Sequence, residues 1–156
     1  MPKVTQLQLS LPKGLSRAER LDIADLVIEF IVERTLSGKD KDGKPFKKSP
    51  GARRGEKYSK SYVDSLDFKN AGKSPSDINL QLSGDMLAAL SILDEKDGKI
   101  VVGYEKGSDE EGRAEGNILG SYGGDPDPKK ARPFLGIKPN DLKKIIELVR
   151  EEHGDQ

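Results

Sequence analysis

The chain contains no cysteine. That excludes disulfides, thiol nucleophiles and cysteine-based metal sites, and it fits a reducing compartment. An excess of one charge sign is also missing, because 27 basic residues balance 27 acidic ones. No overall field then favours nucleic acid or a membrane surface, so any such preference has to come from local clusters. Long apolar runs are absent. The widest apolar face, over residues 21–31, is interrupted by Asp22, Asp25 and Glu29, so nothing reads as a membrane span. The start, Met1-Pro2-Lys3-Val4, lacks the apolar core of a signal peptide. The single histidine, His153, falls in a segment expected to fray, and no triad partner is evident for it.

Catalytic motifs are correspondingly thin. Gly120-Ser121-Tyr122-Gly123-Gly124 resembles a phosphate-cradling loop only in its glycines and lacks the closing Lys-Ser/Thr of a P-loop. Asp109, Glu110, Glu111 and Glu115 match no calcium-loop spacing and read as a solvated acidic loop. Asp125 and Asp127 alternate with prolines, as turn residues do. No Ser/His/Asp set and no two-metal carboxylate pattern stands out. The expectation is a chain with no enzymatic activity, no cofactor and no metal.

The 156 residues fit one domain, 1–156. An apolar fraction of 33% against 35% charged implies a modest core under a large polar surface. Leu7, Leu9 and Leu11 alternate with polar residues, the period of a half-buried strand. Ser16 and Glu19 have capping-box spacing, and a wide apolar stripe from Leu21 to Ile31 predicts a helix running to about Leu36. Asn79-Leu80-Gln81-Leu82 reads as extended, followed by a short helix from Ser83-Gly84-Asp85 through Leu90. Asp97-Gly98 is the preferred pair for a two-residue hairpin turn, here between residues 91–96 and 99–104. Residues 105–130 read as a polar loop, with a short helix over 113–120 inside it. Arg132-Pro133-Phe134-Leu135-Gly136-Ile137 reads as an edge strand. Leu142, Ile145, Ile146, Leu148 and Val149 predict a final helix from Pro139, with residues 151–156 as a flexible tail. The expected architecture is α+β: a mainly antiparallel sheet, two amphipathic helices on one face, and a long basic insertion over residues 37–77.

That insertion is the one local feature with functional potential. Residues 39–62 carry nine positive charges against three negative ones, interleaved with Phe46, Tyr58 and Tyr62. Lys44, Lys47, Lys48, Arg53, Arg54, Lys57, Tyr58 and Lys60 are the candidate contacts. Three readings stand side by side. The segment is a solvated loop, it docks on an acidic face of a neighbouring subunit, or it neutralises phosphates and stacks bases as a nucleic-acid module. Asp109, Glu110 and Glu111 form a complementary acidic patch. A chain carrying both signs on separate segments suits head-to-tail association, which closes into a ring when the rotation permits.

Several segments, in order, resemble the neck and tail-completion proteins of tailed bacteriophages, in particular the Mu-like virion morphogenesis family. Asp42-Gly43-Lys44-Pro45-Phe46-Lys47-Lys48 is similar to that family's early D-G-x-x-[WF] segment. Leu82-Ser83-Gly84-Asp85-Met86-Leu87 followed by Ser91-Ile92 is similar to its L-x-x-[ST]-G-x-[LM] element, and Ile100-Val101-Val102-Gly103 to the strand after it. Arg132-Pro133-Phe134-Leu135-Gly136-Ile137 before a C-terminal helix resembles the R-P-F-L-G signature. The likeness covers about residues 15–150. It departs after the second hairpin strand, where the family often has Y-A-x-x-H and Tyr104 is here followed by Glu105 with no histidine, the mark of a divergent branch. The resemblance implies a structural virion protein made in the host bacterial cytoplasm. It would form a homo-oligomeric ring at the head–tail junction, beside connector, head-completion and tail proteins. It would touch DNA in the channel non-specifically and no membrane. Arg132 and Phe134 would then fix an edge open to pairing between subunits.

Overall fold

A computed structural model describes residues 3–46, 64–65, 85–121 and 125–154. Most of the basic insertion, from residue 47 to 63 and from 66 to 77, lies outside them, as does the extended stretch expected at 79–82. The described chain is α+β. Its elements are β1 (Gln6–Ser10), α1 (Arg17–Leu36), α2 (Asp85–Ala88), β2 (Ser91–Lys96), β3 (Lys99–Gly103), α3 (Asp109–Leu119) and α4 (Pro139–Gly154).

The three strands form one antiparallel sheet in the order β1-β3-β2. β3 is central because its short apolar run can be covered on both edges. Leu7 faces Val102 and Leu9 faces Ile100 on one side, and Ile92 faces Val102 on the other. Strand alternation buries Ile100 and Val102 completely and leaves Val101 half-buried. Lys96 pairs with Lys99 around Asp97-Gly98, and Gly98 takes φ +85°, as the turn chemistry predicts. The register slips between Ile92 and Asp94, a bulge at Leu93. Asp97 ties the turn to the end of the β1 segment, its Oδ1 accepting from the Gly14 N–H at 2.9 Å.

α1 starts where the capping box places it. Ser16 Oγ accepts from the Glu19 N–H at 3.1 Å and Glu19 Oε1 accepts from the Ser16 N–H at 2.9 Å. That hydrogen bonding holds the Glu19 carboxyl below its ordinary value. The helix buries Ile23, Ala24, Val27, Ile31 and Thr35, and its contacts with β2 and β3 place that stripe on the sheet. Arg17 and Arg20 both reach Glu95 of β2, Arg20 Nε at 2.8 Å. α4 packs against α1 and buries Ile146 and Val149. Leu148, expected within that stripe, is instead 47% exposed. The tail expected from residue 151 is helical as far as Gly154, and His153 Nε2 lies 2.5 Å from Asp22 Oδ2 of α1. The histidine therefore has a partner that the sequence did not suggest, and it joins the two helices.

Residues 105–130, expected as a polar loop, carry α3, which begins four residues earlier than the short helix foreseen there. Ser108 caps it, accepting from the Glu111 N–H at 3.1 Å. Ala114 and Gly116 are buried, and α2 packs against the helix, with Asn117 Nδ2 donating to Met86 Sδ at 3.6 Å. Arg132 to Ile137, expected as an edge strand, joins no ladder. Its carbonyls accept from the Arg34 side chain and from the backbone of a turn far away in sequence.

Candidate functional site

The C-terminal end of α1 gathers the segments that carry the most specific sequence signals. Arg34 is the hub. It stands one helical turn after Phe30, its guanidinium carbon 5.6 Å from the centre of that ring. Its Nη1 donates to the Gly136 carbonyl at 2.8 Å and its Nη2 to the Phe134 carbonyl at 2.5 Å. The Arg34 carbonyl in turn accepts from the Lys39 N–H at 3.2 Å and from Ser37 Oγ at 2.7 Å. One residue thus anchors the 134–136 segment with its side chain and the chain leaving α1 with its backbone. Removal from water lowers the Arg34 pKa from its ordinary value, and Asp40, Asp141 and Asp42 oppose that shift through their charges.

Residues 39–46 form a tight turn on this hub. Lys39 and Pro45 make an isolated antiparallel bridge. Asp40 Oδ1 accepts from the N–H groups of Asp42 at 2.9 Å and Lys44 at 3.0 Å, the local side-chain bonding that favours aspartate in turns. Phe46 closes the turn, buried, with its N–H donating to the Gly38 carbonyl at 3.0 Å. The Lys41 N–H then donates to the Pro133 carbonyl at 2.9 Å. Gly136 lies so near that a Cβ there would stand 2.9 Å from Lys41 Cβ. Asp42-Gly43-Lys44-Pro45-Phe46 and Pro133-Phe134-Leu135-Gly136-Ile137 are therefore packed together, some ninety residues apart in sequence.

Between the turn, the end of α1 and the start of α4 lies an open cleft of about 460 Å³. Phe30, Ser37 and Gly43 shape it. Arg34, Lys39, Lys41 and Lys138 bring four positive charges to it, and Glu33 and Asp141 two negative ones. The cleft carries two more cationic than anionic side chains on its lining. Among the described residues, no group of three or more histidines, aspartates and glutamates is placed to hold a metal ion, and no helix is long and apolar enough to cross a membrane.

The residues singled out from the sequence fall into four sets. Lys44 is exposed on the turn. Lys47, Lys48, Arg53, Arg54, Lys57, Tyr58 and Lys60 lie outside the described residues. The acidic patch divides. Asp109 is exposed and Glu110 half-buried, but Glu111 is buried and engaged. Its Oε2 accepts from the buried Thr5 hydroxyl at 3.0 Å and its Oε1 from the Gly107 N–H at 3.0 Å. Those two bonds, the Gly107 N–H foremost, hold its carboxyl below the ordinary value of 4.5. Glu111 is thus an internal tie between the start of the chain and α3, which removes it from the contact patch. Phe134 is wholly buried, edge-on to Tyr104 with ring centres 6.4 Å apart and planes at 79°, so it serves the core instead of an exposed edge. Arg132 is half-buried, and its N–H donates to the Asn117 carbonyl at 2.6 Å.

Sequence reasoning missed Arg34 and Lys138. Arg34 left one signal, a cation in the last helical turn one turn beyond an aromatic, which is common enough to pass unnoticed. Lys138 left none. No protein-family model, no curated protein and no solved structure matches this chain.

Proposed function

We propose that this chain is a structural, non-catalytic virion protein. It acts as a ring-forming neck or tail-completion component at the head–tail junction of a tailed phage, located in the virion after synthesis in the bacterial cytoplasm. The observation that carries this reading is the meeting of the D-G-K-P-F turn with the R-P-F-L-G segment at the end of α1. Two of the stretches that carry the resemblance, the R-P-F-L-G segment being the most specific of them, form one packed unit held by Arg34. Side chains that carry chemistry elsewhere are occupied structurally here: Glu111 ties α3 to Thr5, and His153 ties α4 to Asp22. The unit leaves a charged cleft on the surface, as suits a subunit that works through contacts with its own copies and with connector and tail proteins.

The test is the size of the purified chain in solution and on an electron-microscope grid, alone and mixed with the neighbouring head and tail proteins. A ring in either preparation supports the reading. A chain that stays monomeric in both overturns it. Lys39, Lys41 and Lys44, exposed together on one turn, favour a second reading as a small nucleic-acid-binding module. DNA binding by the isolated chain that falls steeply with salt, without ring formation, would establish it.

A further inference from the structure

The cleft at the end of α1 holds more positive charge than its own walls use. Lys39, Lys41 and Lys138 are exposed, and none forms an ion pair with another described residue. With Arg34 they outnumber the lining carboxylates Glu33 and Asp141 by two, while Asp40 and Asp42 of the adjoining turn act on Arg34 through their charges. The opposite imbalance occurs at the start of α3. Asp109 and Glu105 are exposed and Glu110 half-buried there, and Glu115 is exposed one turn on, against Lys106 and Arg113. Glu111, third of the acidic run, is turned inward to Thr5 and Gly107, so Asp109 and Glu110 alone of that run face outward.

We propose that the cleft at the end of α1 receives Asp109 and Glu110 of a second copy of this chain. The inference rests on the self-assembly reading above and names the contact by which assembly proceeds. A peptide partner fits better than nucleic acid for two reasons. The cleft keeps two carboxylates of its own, and the negative end of the α1 dipole opens onto it; both repel a continuous run of phosphates. Spaced carboxylates on a folded partner can meet the lysines and avoid Glu33 and Asp141. The volume is in the range that admits a small ligand or a few side chains. Cleft and acidic turn are built from different residues, so the contact can repeat head-to-tail around a ring.

The absence of cysteine makes the contact directly testable. Full-length chains carrying Lys138→Cys and Glu110→Cys are mixed under mild oxidation while particle size is followed in parallel. A disulfide between the two variants is expected, with little homodimer from either alone. The yield should fall at least about tenfold when Lys41→Glu is added to the first chain or Asp109→Lys to the second, and return when both are present. Melting curves of each variant verify that folding is retained. Assembly without the cross-link overturns this contact and leaves the ring reading standing; no assembly and no cross-link, with neighbouring proteins included, overturns both. A cross-link insensitive to charge reversal is collisional and also overturns the proposal. So does short duplex DNA that binds at low salt, blocks the cross-link and loses affinity in the Lys41→Glu, Lys138→Glu chain, an outcome that assigns the cleft to phosphates.

Discussion

The two ends of α1 are held in opposite ways. The first turn is self-contained: Ser16 and Glu19, three residues apart, satisfy each other's backbone N–H groups. The last turn depends on residues about a hundred positions away. Arg34 reaches the carbonyls of Phe134 and Gly136, and the turn after the helix leans on Pro133. A helix start can be specified locally because its free N–H donors need only nearby acceptors. The end of this helix is specified by tertiary structure, and it is where a cleft forms. The local end sets where the element begins, and the distant end sets where the cleft forms.

The comparison breaks most readily at the distant end. Phe134→Ala should cost about 3–5 kcal/mol, because it removes a wholly buried ring and leaves a hole beside Tyr104, whose hydroxyl is buried without a hydrogen-bond partner among the described residues. Urea denaturation followed by circular dichroism measures it; a loss under 1 kcal/mol would mean that the 133–137 segment is not part of the cooperative core. Arg34→Met keeps an aliphatic stem and deletes the guanidinium together with its contact to the Phe30 ring. The Gly136 carbonyl loses its donor and the Phe134 carbonyl keeps only the Gly136 N–H, and a loss of about 2–4 kcal/mol follows. Hydrogen exchange should then speed up at the Lys41 amide, which donates into the same segment, and remain unchanged at the Glu19 amide at the other end of the helix.

Ser16→Ala attacks the local end and should cost about 1 kcal/mol, roughly 2–4 °C in Tm for a domain of this size. Exchange should rise over the first turn of α1 alone. A spread of the effect to residues 133–136 would show that the two ends are coupled through the helix and would remove the contrast.

The same division explains what was legible in the sequence. β1, α1, the Asp97-Gly98 hairpin and the start of α4 were readable because alternation, a capping box, a turn pair and a Pro-led apolar stripe are short-range signals. α3 was only partly read. Gly112 and Gly116 and its run of charges argue against a helix on propensity, and burial of Ala114 and Gly116 overrides that weak preference. One local clue went unused, since Ser108 and Glu111 have the spacing of Ser16 and Glu19. Its helix does begin there, although the Glu111 carboxylate turns to Gly107 and Thr5 and leaves the Ser108 N–H. Arg132 to Ile137 has a strand's apolar content. Whether such a run joins a ladder depends on a free sheet edge in reach, and here Arg34 and Lys41 claim its carbonyls first. The cleft was illegible for the same reason, because Arg34, Lys41 and Lys138 meet only after three distant segments have packed.

The smallest effect, and the sharpest test of local against distant, is the response to acid. Glu19 and Glu111 both have carboxyls held below 4.5 in the folded chain, the first by its backbone bond to Ser16 and the second by the Gly107 N–H and the Thr5 hydroxyl. Such a group binds its proton more readily when unfolded. Its stabilisation is complete above the unfolded value and is lost as pH falls through the folded one. The contribution of these two groups should therefore be constant near neutrality and decline as pH drops below about 4.5. Glu19→Gln preserves the capping-box geometry and Glu111→Gln preserves an acceptor, so both variants should fold at pH 7 with a shallower acid decline. Because one glutamate serves the start of α1 and the other ties α3 to Thr5, the double variant should lose the sum of the two slopes. Urea midpoints from pH 7 to pH 3 measure this. A double variant no shallower than either single one would show that the local cap and the long-range tie titrate as one unit.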